Sequence, residues 1–406
     1  MSATNRVPSP RGCPATANPA SPADFGTEMP RCNIRLMNDS SFGSPDRFIG
    51  EHLAASTANS PFGQLDFSRA PLTLAWEVTR ACPLHCVHCR AEAQPHRNQD
   101  ELTTEEGFEL IDDVAKMGTK VLVITGGDPL ARPDIFTLLA KAVSTGMYIG
   151  FSPSVTARLR GDALDRASEI GVGTIHVSLD GAGPKTHDRF RGIPGHFERT
   201  MSAIGHAAEL SPKLQVATTV SRHNIAELDT IAKLLEGLTD SWTLFFLVAT
   251  GRADAKDMLS PAEEEQVLRW LASTEFPFYV RTVEAPQYRR VRAQMGLPVA
   301  PGVTDGNGFC FVSHVGDVQP SGFLPKTAGN VRTHPASFWY RTSELFTSLR
   351  NPSLLGEPCG SCTFATICGG SRARSWAYDG DPLGGDPTCA FGASFSYRGT
   401  RKQPSC

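Results

Sequence analysis

Eleven cysteines are spread unevenly along the chain, and their spacing is the first sign of chemistry. Cys82, Cys86 and Cys89 stand as C-x3-C-x2-C within the segment WEVTRACPLHCVHCRAEA. Cys359, Cys362, Cys368 and Cys389 stand as C-x2-C-x5-C-x20-C, whereas Cys13, Cys32, Cys310 and Cys406 are isolated. Thiolates bunched this closely read as metal ligands and not as a disulfide framework. Soft sulfur donors select an iron–sulfur cluster or zinc over hard cations. Three thiolates on one short loop can hold three corners of a [4Fe–4S] cluster and leave the fourth iron open for chemistry. A structural zinc would want a fourth ligand, which His85 or His88 could offer. The second set can close all four corners of a [4Fe–4S] cluster, or hold a zinc tetrahedron. Cys310 reads as a buried strand residue.

The elements that must position these thiols come next. From residue 72, short β-rich runs alternate with amphipathic segments of helical period. The expected strands are Thr73–Thr79, Lys120–Thr125, Met147–Ser152, Thr174–Leu179, Leu214–Val220 and Trp242–Val248. The expected helices are Thr104–Met117, Pro133–Thr145, Gly161–Ile170, His196–Leu210 and Ile225–Glu236, the first announced by the Thr103/Glu106 capping box. Such repeats imply parallel strands with right-handed crossovers. Six repeats are too few to close an eight-stranded barrel, so a partial one is expected. In such folds reactive groups collect at the C-terminal ends of the strands. The first cysteine loop falls there, just after strand one.

The pattern breaks after about residue 255. A helix is expected near Pro261–Ser273 and a hairpin over Gly308–Gln319 with its turn around Ser313–Asp317. The Cys-, Gly- and Pro-rich tail buries too little apolar surface to fold alone, and metal ligation would supply the difference. The expected division is therefore an extension at 1–65, disordered by its Pro/Ser/Ala/Asn content, a barrel at 66–255, a connecting region at 256–305 and a Cys-rich domain at 306–406.

Composition narrows the classes. The chain has 406 residues, a formal net charge of −3, 40% hydrophobic and 20% charged residues. That balance gives no electrostatic reason for a nucleic-acid or membrane-surface partner. Apolar runs such as Trp242–Ala249 are too short to span a bilayer. With no signal-like apolar stretch near the N-terminus, a cytoplasmic protein is expected.

C-x3-C-x2-C after the first strand of a partial (β/α)6 barrel resembles the radical S-adenosylmethionine (SAM) superfamily. The resemblance implies that SAM chelates the open iron and that an electron, from a donor such as flavodoxin or ferredoxin, cleaves it to a 5′-deoxyadenosyl radical that takes hydrogen from substrate. It also implies SAM contacts at Gly126, Gly127, Asp128 and Pro129, where TGGDP is similar to the family's Gly-Gly-Glu-Pro with Asp for Glu. Ser154 in SPSVT, with Ser152 and Thr156, Ser178 and Asp180 in SLDG, and Arg191 in HDRFRG join them, Arg191 as the partner of the SAM carboxylate. Gly251 is expected to let the adenine lie close.

The tail is similar to the SPASM and shorter "twitch" domains. Ser321 stands where the larger pattern has a cysteine, so one auxiliary [4Fe–4S] cluster is expected. With CGGSRARSWAYDGDP, it looks most like the enzymes of alternative heme and heme d1 synthesis, which act on propionates of iron porphyrins. Peptide maturases share the architecture, and a non-catalytic zinc or iron–sulfur protein is the remaining alternative. Arg372 and Arg374 read as cations flanking the second cluster, Tyr288 as a core residue, and EAPQYRR (Glu284–Arg290) as a segment that can reach the substrate cavity.

Overall fold

The computed structural model describes residues 66–159, 162–299 and 302–391. The expected extension, and with it Cys13, Cys32 and Cys406, lies outside them.

Local signals lay down the first elements. Thr103 accepts from the Glu106 backbone while Glu106 reaches back to the Thr103 N–H, opening the helix Thr104–Met117. Gly118, at φ +101°, ends it in a left-handed turn. Its buried face carries Leu110, Ile111, Val114 and Met117, four positions spaced to share one side of a helix. The strand β1 (Thr73–Glu77) turns Trp76 towards this helix, where Gly107 is bare: a Cβ there would lie 2.6 Å from the indole. Alternation then sends Ala75 and Glu77 to the opposite, inner face.

Strands β1, β2 (Val121–Thr125), β3 (Tyr148–Phe151), β4 (Thr174–Ser178), β5 (Lys213–Val220) and β6 (Ser241–Phe246) are parallel neighbours in chain order. This is the mixed α/β partial barrel that the strand–helix alternation predicts. Two further strands extend it. β7 (Tyr279–Val283) adds in parallel to β6, and β8 (Phe309–Val312) lies parallel on β1 from Thr73 to Trp76. β9 (Asp317–Gln319) and β10 (Gly329–Asn330) continue antiparallel, giving the order β10-β9-β8-β1-β2-β3-β4-β5-β6-β7.

β7 falls in the stretch read as a connector. It is only five residues long with little burial, too weak a pattern to recognise without its neighbour. The expected hairpin is present as β8–β9 with Ser313 and Gly316 in its turn, but β8 owes its place to β1. Cys310 is fully buried on it, as expected. The Pro261–Ser273 helix is present with a Ser260/Glu263 capping box.

The outer faces of the strands and the inner faces of the helices form one continuous core around Leu74, Trp76, Ile124, Phe151, Ile175, Val216, Trp242 and Leu244. One polar line crosses it. The Trp242 indole N–H donates to Thr218 Oγ1 at 2.8 Å, and Thr218 donates to the Leu179 carbonyl at 2.7 Å. Thr218→Val keeps the shape and leaves both partners unpaired in a dry core. It is expected to lower stability by about 1–3 kcal/mol, read by anaerobic chemical denaturation against the parent.

Candidate active site and the second thiol cluster

The first cysteine loop leaves the C-terminal end of β1. Cys82 and Cys86 are buried and Cys89 is half-buried, all with free thiols. The loop is held mainly by backbone against backbone. Gly127 N–H donates to the Thr79 carbonyl at 2.7 Å, and Asp128 N–H to the Ala81 carbonyl at 2.8 Å. A Cβ on Gly126 would sit 2.7 Å from the Thr79 carbonyl oxygen, and one on Gly127 2.7 Å from those of Arg80 and Ala81. These two glycines therefore admit the cysteine loop itself, which is a different reason for glycine from close approach to a ligand. Gly251 repeats the arrangement after β6: at φ +63° its Cβ would fall 2.5 Å from the Cys89 and Arg90 carbonyls. Gly192, at φ +71°, does so against the His85 carbonyl at 2.8 Å.

Several predicted site residues converge on this loop. Ser154 Oγ donates to the Gly127 carbonyl at 2.7 Å and lies 4.0 Å from Cys82 Sγ. Asp128 is fully buried and spends its carboxylate on the Leu130 N–H and the Thr156 hydroxyl, at 3.2 and 2.7 Å. Burial raises its pKa, and those hydrogen bonds oppose the rise. Its side chain therefore caps the short helix that begins at Pro129. Ser178 ends β4, half-buried. Asp180 is fully buried and pairs with Arg191 at 2.5 Å, and it accepts from the Thr219 N–H at 2.7 Å. Arg191 Nη1 also approaches Cys86 Sγ at 3.8 Å, while its Nε has no partner. Arg191 is thus engaged first by Asp180, with one donor left over.

The two histidines of the loop differ. His85 is exposed. His88 is enclosed against Phe190, with ring centroids 4.9 Å apart, and its Nε2 is 3.9 Å from Asp180. Burial holds its pKa down at about 4. Behind Asp180, the His187 ring accepts the Asp180 N–H at 3.1 Å and meets His196 at 2.8 Å. Both are buried, which holds them at about 3 and about 4.

Two charged residues beside this loop carried no sequence signal of their own. Glu77, buried at the inner end of β1, is held by Arg80 and Arg90 at 2.9 Å and by His314 at 3.2 Å. Burial alone would raise it, but Arg90, His314 and Arg80 outweigh that and keep it at about 2. Arg252 donates its backbone N–H to the Cys89 carbonyl, and its guanidinium Nε and Nη2 are buried without partners. Only the adjacent Gly251 hinted at it. Buried donors left over on Arg191 and Arg252, beside three soft thiols, fit an anionic cluster and a ligand carboxylate.

The second set also assembles. Cys359, Cys362, Cys368 and Cys389 line one pocket together with Arg290, Phe364 and Gly370. Arg372 flanks it as expected, with Nη2 3.7 Å from Cys359 Sγ and Nη1 on the Gly384 carbonyl at 2.7 Å. Arg374 faces elsewhere. It is clamped between Glu264 at 2.5 Å and Asp386 at 3.1 Å, which ties the tail to the Pro261–Ser273 helix. Burial lifts Glu264 to about 7 against the pull of Arg374. The Glu284–Arg290 segment reaches this cluster: Arg289 binds the Ile367 and Cys368 carbonyls, Gln287 donates to Asp386 at 2.7 Å, and Ser371 donates to Glu284. Tyr288 is buried, its hydroxyl on the Leu271 carbonyl, the core role expected of it.

The family model for the radical SAM superfamily matches residues 76–235. A Methanosarcina barkeri protein named AdoMet-dependent heme synthase is 37% identical over 80% of this chain and 97% of its own length. The chain belongs to the radical SAM superfamily. It is therefore an enzyme that works with a [4Fe–4S] cluster and SAM. A second M. barkeri relative, named Fe-coproporphyrin III synthase, is 32% identical over 78% of this chain and 87% of its own. The fold is shared with Streptococcus suis SuiB, solved with S-adenosylmethionine bound, at a TM-score of 0.63, 16% identity and coverage of 79% and 78% of the two chains. Among the described residues no helix is long and apolar enough to cross a membrane.

Two outcomes follow for this radical SAM site. Gly127→Ala and Gly251→Ala force the loop backbone outwards, so anaerobically purified protein should drop from about eight irons to about four, measured by iron assay, with the second cluster retained. His88, His187 and His196 bind protons less readily folded than unfolded. Below about pH 6.5 the unfolded chain therefore takes up protons that the folded one refuses, and stability falls as pH drops towards 4. The anaerobic thermal midpoint should decline across that window, and less steeply in His196→Gln.

Proposed function

We propose that this radical SAM enzyme oxidatively decarboxylates propionate side chains of an iron porphyrin, the reaction class of heme formation. The observation that carries the reading is the 37% identity to the AdoMet-dependent heme synthase over nearly all of that protein's length. When bound, the cluster and SAM supply a 5′-deoxyadenosyl radical. Cys82, Cys86 and Cys89 would hold that cluster. The glycine-clamped TGGDP segment (Gly126–Pro129), Ser154 and Ser178 would line the SAM site, with the spare donors of Arg191 and Arg252 for the carboxylate. Asp180 serves by holding Arg191.

On the substrate, loss of one hydrogen atom from the propionate carbon next to the ring, followed by loss of CO2 and one electron, converts R–CH2–CH2–COO⁻ into R–CH=CH2. That electron needs a one-electron acceptor. Cys359, Cys362, Cys368 and Cys389 would hold an auxiliary [4Fe–4S] cluster suited to the task, with Arg372 offsetting its charge. A reductant such as flavodoxin or ferredoxin would supply the electron that starts each turnover.

The anaerobic enzyme, given dithionite, SAM and iron coproporphyrin III, is expected to form one 5′-deoxyadenosine for each vinyl group that appears on the porphyrin, followed by chromatography and mass spectrometry. Cys86→Ala should abolish both products. Release of 5′-deoxyadenosine with the porphyrin unchanged would sink the substrate assignment and favour a peptide substrate. Arg252→Gln is expected to raise KM for SAM about tenfold, the worth of roughly one charge-assisted hydrogen bond.

A further inference from the structure

Among the described residues, one cation inside the barrel has no carboxylate partner. Arg281 is the third residue of β7, two short of the strand's C-terminal end, and Val280 beside it packs into the outer core. Alternation therefore turns Arg281 to the lumen. Its guanidinium reaches past β6 to donate to Gln215 of β5. Gln215 lies in register with His176 of β4, which is also two residues short of its strand end. The three side chains form a band across the inner wall, just below the mouth that holds the first cysteine loop.

The charge balance of this band is unusual. Every other arginine at the mouth that is paired has a carboxylate: Arg80 and Arg90 share Glu77, and Arg191 holds Asp180. Arg281 has no acidic partner among the described residues, and its one side-chain hydrogen bond goes to a neutral amide. Much of its surface is accessible, yet the surrounding strands desolvate it enough to lower its pKa. With a neutral amide as its partner, the guanidinium keeps donors for a planar anion.

His176 supplies a second donor. Its Nδ1 lies 2.7 Å from Ser152 Oγ. In the tautomer where Nδ1 accepts from that hydroxyl, the ring N–H is at Nε2. Gly150 keeps room for this edge: a Cβ there would be 3.0 Å from His176 Cε1 and 3.2 Å from Nε2. Burial holds the ring neutral, with Arg281 adding to the effect.

We propose that Arg281, steadied by Gln215 and joined by His176, is a carboxylate-binding subsite that fixes the substrate by one of its acid side chains. The proposal rests on the tetrapyrrole reading above and adds the residues that grip the substrate. Arginine's planar fork suits a carboxylate bidentately, whereas lysine would offer only a point charge.

The test is a Soret titration of the anaerobic holoenzyme with iron coproporphyrin III and, separately, with its tetramethyl ester. Wild-type enzyme is expected to prefer the free acid at least tenfold. Arg281→Gln should lose that preference, Arg281→Lys should keep part of it, and the cluster absorption near 400 nm should stay at wild-type intensity in both. If wild-type enzyme discriminates and Arg281→Gln discriminates equally well, the subsite is wrong while the tetrapyrrole reading stands. If wild-type enzyme binds neither porphyrin, the tetrapyrrole reading falls and takes this subsite with it.

Discussion

The structure depends on a loop being pressed flat between backbones. Three thiols that share one cluster must be delivered by a segment too short to have a core of its own. The barrel fixes that segment from three sides with glycines at Gly127, Gly192 and Gly251, each close enough that a Cβ would overlap a loop carbonyl. Backbone contact of this kind fixes where the Cα and Cβ of each cysteine stand, which limits where its sulfur can reach. Hydrogen bonds from Gly127 and Asp128 to the Thr79 and Ala81 carbonyls complete the clamp.

Around the clamp lies a shell of buried charge that is almost, but not entirely, neutralised. Glu77 absorbs Arg80 and Arg90, and Asp180 absorbs Arg191. Donors are left over on Arg191 and Arg252, and among the described residues Arg281 has only a neutral amide as its side-chain partner. A site meant for an anionic cluster, an amino-acid carboxylate and an acidic substrate would carry this excess. The neutral histidines His88, His176 and His187 add bulk and hydrogen bonds without adding to the charge.

The second thiol set is tied to the barrel by ion pairs and hydrogen bonds as well as by apolar packing of Ala373 with Val248. Arg374 binds Glu264 of the Pro261–Ser273 helix and Asp386 of the tail, and Gln287 and Arg289 add further bonds. A buried pair of this sort is poor evidence for stability by itself, because desolvation offsets the Coulomb gain. What it secures is register, fixing the cysteine cavity relative to the barrel.

Much of this was legible in the sequence where the signal is local. The cysteine spacings, the Thr103 capping box and the alternation of β1 to β6 are read over a few residues, because thiol reach, helix termini and strand pleat are themselves local. The chemistry of the site was read from the spacing of Cys82, Cys86 and Cys89 together with the family that spacing resembles. Tertiary structure decided the rest. β7 exists because β6 offers it an edge, and β8 because β1 does. Asp128 turned out to cap a helix, and Gly126, Gly127 and Gly251 to admit a loop. Arg191 took Asp180 as its partner, and Arg281 took the neutral amide of Gln215. Close approaches such as Gly127 to Ala81 and Gly251 to Cys89 join residues far apart in the chain, and no short window of sequence contains both partners.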